Sequence, residues 1–339
     1  MLRIGLMGFG RIGRNLFRQT IDHDDLRIVA ISDRAQPDAL TYLLKYDSIY
    51  GRFDRPVSLD GDALSVDGRS IPFIDSGAPG EIDWAAEGVD VVVQAIGERH
   101  RTAAAVESHL ARGASRVVLA STPETPGELP ILIPTVNDSV LTPTTKTIAM
   151  GSNTAQAVAP VLKVLSETFG LDHAFFTTVH AFSGSQRLAD VPTSGFRTSR
   201  AAGENIIPAE TNSPEILAQV FPELAGRLQA MALNVPVPDG STVDMVARFS
   251  SPITKESLNA AIYAAAVGSS ANVLGYTEDP IVSSDVIGST ASGVYDSLAT
   301  MVMDDDLAKL IIWFDNGWGY TARIVQTLER MNAMKEAGA

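Results

Sequence analysis

The chain of 339 residues contains no cysteine. This absence excludes disulfide bonds, thiolate-ligated metals and catalysis by a thiol nucleophile. No apolar run is long enough to span a membrane, and no basic stretch precedes the first apolar segment. We therefore expect a cytoplasmic protein that has no membrane partner and binds no metal.

Positive charge is also scarce in this chain. Its 26 basic residues face 40 acidic ones, which gives a formal charge of −14 and a pI near 4.7. Nucleic acids and anionic membranes bind clustered cations, so neither is an expected partner, and a small-molecule substrate is favoured. The length and the apolar content of 45% are typical of a soluble protein with two domains.

The first half of the chain alternates predicted strands with predicted helices. Such alternation indicates an α/β fold with a doubly wound parallel sheet. We therefore expect a dinucleotide-binding domain over residues 1–152. The predicted strands are residues 2–7, 26–31, 89–94 and 116–120, and the predicted helices are residues 14–20 and 102–112.

A glycine motif, Gly8-x-Gly10-x-x-Gly13, follows the first predicted strand and opens a helix. Glycines at this spacing permit a tight turn and a close approach of the backbone to a pyrophosphate, which the helix N-terminus attracts. Asp33 follows about twenty residues later, where a carboxylate accepts hydrogen bonds from the adenosine ribose. Asp33 favours NAD, whereas Arg34 leaves NADP as an alternative, because arginine can pair with a 2′-phosphate or stack on adenine.

The second half of the chain has a different pattern. Residues 183–210 are rich in Gly, Ser, Thr and Arg, and they form a segment too long for an ordinary connection. Such loops in compact domains are usually functional or interfacial. The predicted helices are residues 155–169 and 319–334, and the predicted strands are residues 175–181, 231–237, 242–249 and 310–314.

Several motifs, in the same order along the chain, resemble those of the phosphorylating glyceraldehyde-3-phosphate dehydrogenases. Residues 151–160 resemble the nucleophile segment Ser-Cys-Thr-Thr-Asn-Cys-Leu-Ala-Pro, and residues 177–186 resemble Thr-Thr-Val-His-(Ser/Ala)-Tyr-Thr-x-x-Gln. Residues 313–320 resemble Trp-Tyr-Asp-Asn-Glu-(Phe/Trp)-Gly-Tyr. Weaker matches lie at residues 45–53, 205–208 and 234–244, so the resemblance extends over essentially the whole chain.

The resemblance implies a domain organisation and a set of roles. It implies a Rossmann-type NAD(P)-binding domain over residues 1–152, an α+β catalytic domain over 153–315, and a C-terminal helix over 316–339 that returns to the first domain. It also implies a homotetramer, with the loop at residues 183–210 near subunit interfaces. The roles it implies are general base for His180, contact with the nicotinamide carboxamide for Asn316, and contact with the rest of the cofactor for Arg11, Ile12 and Ser121.

Two departures from the family pattern affect the expected chemistry. Asn153 stands where the family carries its catalytic cysteine, and an amide neither attacks an aldehyde nor forms a thioester. Asn234 stands where the family has an arginine that serves both anion sites. The loss of that guanidinium weakens anion binding by about 2 kcal/mol. The other substrate or phosphate contacts that the resemblance implies are Ser152, Thr154, Ser183, Ser185, Arg197, Thr211 and Asn212.

Two functions of different classes follow from these residues. The first is an NAD(P)-dependent oxidoreductase that passes hydride directly to or from a small aldehyde or alcohol, phosphorylated or not. In that reaction His180 is the acid/base and Asn153 orients the substrate oxygen. The second is a catalytically inactive pseudoenzyme that binds a nicotinamide cofactor or a phosphometabolite. Turnover separates the two functions, whereas cofactor binding alone does not.

Overall fold

The structure is a computed structural model that describes residues 1–184 and 186–337. It contains two compact units, one formed by Met1–Gly151 together with the C-terminal segment from Thr321, and the other by Ser152–Tyr320. Each unit contains its own eight-stranded sheet.

The first unit alternates strands and helices from its first residues, as the sequence predicts. Its strands at Val91–Gln94 and Arg116–Leu119 consist mostly of buried valine and leucine, the composition of strands covered on both faces. The elements are β1 Leu2–Met7, α1 Arg11–Thr20, β2 Leu26–Asp33, α2 Pro37–Lys45, β3 Tyr46–Asp47, β4 Gly51–Arg52, β5 Val57–Asp60, β6 Ala63–Val66, β7 Arg69–Asp75, β8 Val91–Gln94, α3 Ala103–Glu107, β9 Arg116–Leu119 and β10 Thr147–Ala149.

The sheet of the first unit has the order β10-β9-β8-β1-β2-β7-β6-β5. The strands from β10 to β7 pair in parallel, and β5, β6 and β7 form an antiparallel meander at one edge. The predicted doubly wound parallel sheet is confirmed. The carboxyl ends of β1 and β2 lie side by side, which brings the glycine turn after β1 next to Asp33.

The helical segment predicted over residues 102–112 consists of two separate pieces. The helix α3 ends at Glu107, and a separate 3₁₀ turn follows at Leu110–Arg112. Between them, the side chain of His109 is fully buried, with hydrogen bonds to Trp84 and Gln94. These core contacts hold His109 at the break between the two helical segments.

The second unit packs helices on one face of a mixed sheet. Its elements are α4 Asn153–Phe169, β11 Leu171–Ala181, β12 Ile207–Ala209, α5 Ser213–Val220, β13 Leu228–Val235, β14 Ser241–Phe249, α6 Lys255–Val267, β15 Leu274–Thr277, β16 Gly293–Asp296, β17 Met301–Met303 and β18 Leu307–Phe314. The last helix, α7 Trp318–Ala337, begins in this unit, and from Thr321 it belongs to the first unit. The sheet has the order β12-β13-β11-β14-β18-β16-β15, with β17 paired to β18. The helix α4 is mostly buried and packs against β11, β14 and β18.

Candidate active site

The glycine turn joins β1 to α1 in the first unit. Gly8 has a φ of +99°, and a Cβ built on it would lie 2.5 Å from the carbonyl oxygen of Ala95. A Cβ on Gly13 would lie 2.1 Å from the carbonyl oxygen of Gly8, so only glycine fits there. The helix α1 then begins with Arg11 and Ile12, without a side-chain cap or an acidic residue in its first turn. A helix start of this kind suits an anion.

Asp33 ends β2, and two main-chain groups orient its carboxylate. Oδ2 accepts a 2.8 Å hydrogen bond from the N–H of Phe9, and Oδ1 accepts a 3.0 Å hydrogen bond from the N–H of Ala35. The first of these bonds ties the carboxylate to the glycine turn. A cavity of about 340 Å³ opens beside Asp33 and Arg34. This geometry fits an adenosine ribose placed against the carboxylate.

In the second unit, α4 begins within residues 151–160, which resemble the nucleophile motif. Ser152 caps the helix, because its Oγ accepts a 3.1 Å hydrogen bond from the N–H of Ala155. Oδ1 of Asn153 accepts a 2.8 Å hydrogen bond from the N–H of Thr154. Nδ2 of Asn153 donates a 2.9 Å hydrogen bond to the main-chain carbonyl of Asn316. Both ends of the Asn153 amide therefore have main-chain partners, which fix its orientation.

His180 is the penultimate residue of β11 and is half-buried. Its Nδ1 lies 2.6 Å from the carbonyl oxygen of Ala181. A carbonyl oxygen can only accept, so Nδ1 carries a proton and Nε2 is the acceptor nitrogen of the neutral ring. The ring also meets Phe314 edge-on, with 6.2 Å between centroids. The site therefore contains a histidine whose basic atom is Nε2.

The side-chain amide of Asn316 lies over the ring of His180. Its Nδ2 is 3.3 Å from Nδ1 and 3.4 Å from Nε2 of that ring. An atom equally far from both nitrogens at this range cannot lie in the ring plane, because it would overlap ring carbons. The amide therefore approaches the ring face. This contact does not use the in-plane lone pair of Nε2.

Buried hydrogen bonds orient Asn316. Oγ of Ser241 accepts a 2.9 Å hydrogen bond from the N–H of Ala181 and donates its own proton to Oδ1 of Asn316 at 2.8 Å. The N–H of Asn316 donates a 3.0 Å hydrogen bond to Oδ1 of Asp239. Ser241 and Asp239 are both buried. Because Oδ1 is bound to Ser241, the amide presents Nδ2 to His180.

A second buried carboxylate, Asp315, holds the turn after β18. Its Oδ2 accepts a 2.8 Å hydrogen bond from the N–H of Gly288, and its Oδ1 accepts a 2.7 Å hydrogen bond from the N–H of Gly317. Burial, and next the charge of Asp239, raise the pKa of Asp315 above its ordinary value. The main-chain donors oppose that rise, and they fix the turn.

Asn234 is the register partner of His180 on the neighbouring parallel strand β13. Paired residues on adjacent strands project to the same face of a sheet, so this amide and the imidazole share one face. Asn234 is half-buried, and its side chain has no hydrogen-bond partner within the described ranges. The amide offers donors and an acceptor to a substrate but lacks the charge of a guanidinium.

The remaining predicted hydroxyl and amide contacts lie in two loop segments. The N–H and Oγ of Ser183 both approach Oε1 of Gln186, at 2.6 and 3.0 Å, which closes the turn after β11. Ser185 lies outside the described residues. Oγ1 of Thr211 lies 2.9 Å from Oγ of Ser213, the first residue of α5. Asn212 lies between these two residues, and its side chain does not cap the helix.

The loop at residues 183–210 contains two arginines that are candidates to bind an anion, and they differ in their ion-pair partners. Nε of Arg200 pairs with Oδ2 of Asp190 at 3.1 Å. The N–H of Ala201 and next Arg200 lower the pKa of that carboxyl group. Arg197 lies in an exposed 3₁₀ turn and has no ion pair among the described residues. Arg197 is therefore the better placed of the two to meet an anionic ligand.

Sequence reasoning missed the polar residues that orient the site. Asp239 and Ser241 follow the motif at residues 234–238 in the sequence Asp-Gly-Ser, which is an ordinary turn signal. Nothing in that signal indicates that both side chains are buried. Their hydrogen bonds to Ala181 and Asn316 are visible only in the folded chain.

Within the described part of the chain, no helix has both the length and the apolar character needed to cross a membrane. The same residues contain no group of three or more histidine or acidic side chains that could hold a metal ion.

Two family models match this chain. Residues 2–102 match "Glyceraldehyde 3-phosphate dehydrogenase, NAD binding domain", and residues 152–316 match "Glyceraldehyde 3-phosphate dehydrogenase, C-terminal domain". The chain is 40% identical over 325 residues to glyceraldehyde-3-phosphate dehydrogenase 2 of Streptomyces avermitilis, with 96% of each chain covered. It is 40% identical over 324 residues to glyceraldehyde-3-phosphate dehydrogenase of Geobacillus stearothermophilus, again with 96% of each covered. These matches confirm the predicted fold class, a Rossmann-type domain with a catalytic domain of this type.

Proposed function

Because the chain belongs to the glyceraldehyde-3-phosphate dehydrogenase family, we propose that it is a nicotinamide-dependent oxidoreductase that acts without a thiol nucleophile. The chain has no cysteine, and the resemblance places Asn153 at the nucleophile position. An amide cannot form the thioester that phosphorylating oxidation requires. The proposed reaction is direct hydride transfer on a small aldehyde or alcohol, with phosphorylated forms among the candidates.

The residues of the first unit fit a dinucleotide. Gly8 and Gly13 keep the turn free of side chains, so the backbone can approach a pyrophosphate, and Asp33 would hold the ribose hydroxyls. The cofactor proposed is NAD, with NADP as the alternative that Arg34 leaves open. When bound, the nicotinamide supplies a hydride acceptor for oxidation and a hydride donor for reduction. The other residues proposed to contact the cofactor are Gly10, Arg11, Ile12, Ser121 and, for the nicotinamide carboxamide, Asn316.

His180 is proposed to carry the proton. In alcohol oxidation the substrate C–H bond gives up a hydride, the hydroxyl proton passes to Nε2, and a carbonyl remains. Reduction reverses both transfers. The hydrogen bond from Nδ1 to the carbonyl of Ala181 keeps the ring orientation and tautomer throughout. This 2.6 Å bond is the observation that carries the proposal, because it makes Nε2 the basic atom.

Asn153 and Asn234 are proposed to bind the substrate. Nδ2 of Asn153 has a second hydrogen beyond the one donated to Asn316, so it can still orient and polarise a substrate oxygen. Asn234 shares the sheet face of His180 and has an uncommitted amide. If the substrate carries a phosphate, its proposed contacts are Ser152, Thr154, Ser183, Ser185, Arg197, Thr211 and Asn212.

The test follows the absorbance of reduced nicotinamide with NAD or NADP against phosphorylated and unphosphorylated aldehydes and alcohols. We expect turnover by the unmodified protein. His180→Ala should lower turnover by about 10²- to 10⁴-fold while keeping cofactor affinity. His173→Ala, a change at an exposed histidine of the same strand, is the matched control and should keep turnover. Unchanged turnover in His180→Ala would contradict the proposed role.

One observation favours the second candidate, a pseudoenzyme that binds cofactor or phosphometabolite without turnover. The Asn153 amide bonds to the main chain at both ends, as a purely structural residue at a helix start does. The variant Asn153→Cys distinguishes the two candidates. Activity that appears only in this variant means that the site survives around a missing nucleophile, which supports the pseudoenzyme.

A homotetramer in the cytoplasm is the proposed state of the protein. One face of the second sheet exposes apolar side chains, among them Phe175 and its register partner Val246, which are 65% and 39% exposed. Met231 and Met301 are exposed as well, at 44% and 62%. Large exposed apolar patches of this kind mark protein interfaces. This face supports assembly of the chain with its own copies.

A further inference from the structure

A second cavity in the first unit, of about 300 Å³, lies away from the glycine turn. Its lining comes from the first residues of β2 and β7 and from the C-terminal end of α1. The proposed cofactor residue Asp33 ends β2, so this cavity and the proposed cofactor site lie at opposite ends of the same strand. None of the residues assigned from sequence motifs lines this cavity.

The cavity exists because β2 and β7 separate at their amino ends. The register pairs between these two parallel strands begin only at residue 31 of β2. Over residues 69–72, β7 pairs with β6 instead. Within the described residues, no strand pairs with the β7 side of β2 over residues 27–30. The gap therefore follows from the topology of the sheet and not from the conformation of a loop.

The base of this cavity is apolar. Phe17, Ile28 and Ile71 line it, and all three side chains are buried. Thr20 lines it as well, but its hydroxyl donates a 2.7 Å hydrogen bond to the carbonyl of Leu16. The hydroxyl proton is therefore not available to a ligand. Such a base favours a hydrocarbon group, because burial there removes apolar surface from water.

Two exposed arginines, Arg27 and Arg69, line the outer part of the cavity. Nη1 of Arg69 donates a 2.9 Å hydrogen bond to the carbonyl of Ile21, which joins the start of β7 to the end of α1. A guanidinium has five N–H donors, so most of those on Arg69 remain for a ligand. Neither arginine has an ion pair within the described part of the chain.

The charge of the lining is opposite to that of the chain. Two guanidinium groups and no carboxylate among the described lining residues give a formal charge of +2, whereas the whole chain carries −14. Asp22 and Asp67, which are close to the lining in sequence, both pair with a third arginine, Arg55. Asp25 precedes β2 and does not line the cavity. The lining is therefore complementary to an anion.

We propose that this cavity binds a small organic carboxylate, with its carboxylate group at Arg27 and Arg69 and its apolar chain in the gap between β2 and β7. Planar guanidinium groups match the geometry of a carboxylate. A phosphate dianion is disfavoured, because α1 ends at this cavity and the negative end of its dipole lies there. The inference goes beyond the proposed function and does not depend on the cofactor or the substrate.

The first test measures binding of hexanoate, octanoate and decanoate to the full chain by calorimetry. Affinity should rise about two- to fourfold for each added methylene until the gap is filled, because each methylene buries further apolar surface. Octanamide has the same chain and nearly the same shape but no charge, so it should bind about five- to tenfold more weakly than octanoate. Absence of octanoate binding, or equal binding of octanamide, would overturn the proposal.

The second test uses variants of the lining. Arg27→Gln removes a charge at an exposed position, so it should weaken octanoate about fivefold and leave octanamide unchanged. Arg112→Gln, at an exposed arginine outside this cavity, is the matched control and should bind both ligands normally. Octanoate affinity in Arg27→Gln equal to that of the unmodified protein would refute the assigned carboxylate contact.

A third variant tests the place of the apolar chain. Val29 is half-buried and lines the gap, so the larger ring of Val29→Phe should occupy the space and weaken octanoate and octanamide alike. Thermal unfolding checks that this variant folds. A folded Val29→Phe protein that binds both ligands normally would place the chain elsewhere and overturn the proposal.

The last measurement separates this inference from the proposed function. Octanoate affinity should be the same with and without saturating NAD, because the two sites lie at opposite ends of β2. Competition between octanoate and NAD would put octanoate in the cofactor site, which overturns the inference and leaves the proposed function standing. Octanoate binding by a protein that binds no nicotinamide cofactor would support the inference and refute the proposed function.

Discussion

Nδ2 of Asn153 donates a 2.9 Å hydrogen bond to the main-chain carbonyl of Asn316, a residue 163 positions later. Asn316 in turn presents its own amide to the ring of His180. The residue at the predicted nucleophile position is thus part of the structure that holds the histidine site together. A thiol there is a much weaker donor and would not replace this bond.

Asn153→Cys should produce a reactive thiolate. The helix N-terminus stabilises a negative charge at this position, so we expect the pKa of the introduced thiol to lie below its ordinary value. The rate of alkylation by iodoacetamide at pH 7 measures this effect. Thr168→Cys, on the exposed last turn of the same helix, is the control and should react more slowly. Equal rates would contradict the favourable electrostatics assigned to the start of α4.

Ser241→Ala should impair both stability and turnover. The change leaves the N–H of Ala181 and Oδ1 of Asn316 without their partner, at a site where Ser241 is only 1% exposed. Unpaired buried groups of this kind cost about 1–3 kcal/mol in the free energy of unfolding. Turnover should fall as well, because the Asn316 amide loses its fixed orientation over His180.

Urea denaturation and the pH profile of turnover check this prediction. Ser241→Thr retains the hydroxyl and should recover most of the lost turnover. If Ser241→Ala keeps the turnover and pH profile of the unmodified protein, the hydrogen bond does not orient the site.

His109 should make the fold sensitive to acid. Nε1 of Trp84 donates a 2.9 Å hydrogen bond to Nδ1 of His109, and Gln94 pairs with Nε2 at 3.1 Å. Burial lowers the pKa of His109 to about 4, below the value of about 6.5 for an unfolded chain. The neutral ring therefore stabilises the fold fully above pH 6.5, and this stabilisation is lost as the pH falls towards 4. We expect a loss of about 2 kcal/mol between pH 7 and 5 from this group.

Urea denaturation at pH 7 and pH 5 measures that loss. His109→Gln has no group that titrates in this range, so its free energy of unfolding should fall less between the two pH values. His173→Gln, at an exposed position, should keep the pH dependence of the unmodified protein. A His109→Gln variant with an equally steep fall would assign the acid sensitivity to other groups.

Phe175→Glu should dissociate the proposed tetramer. The substitution puts a charge into the exposed apolar face of the second sheet, where Phe175 is 65% exposed, and burial of an unpaired charge at an interface is costly. Sedimentation velocity measures the change in assembly. Val267→Glu, at an exposed position at the end of α6, should leave the assembly intact. A tetramer that tolerates Phe175→Glu would place the interface elsewhere.

Local pattern in the sequence predicted most of the long elements of both units. Residues 2–7 were expected as a strand and form β1, and the helix expected over residues 155–169 starts only two residues earlier in the structure. Periodicity carries this information because each element buries one face. The meander β5–β7 was not predicted, because its two shorter strands have only four residues each and give little periodic signal.

The sequence by itself determined that the chain has no cysteine and where its glycine turn lies, because composition and motif spacing are local properties. Only the tertiary structure decided the neighbours of each site residue. Asn153 meets Asn316, and His180 is in register with Asn234, through strands and turns far apart along the chain. Such contacts depend on the register and packing of a whole sheet, which no local pattern encodes.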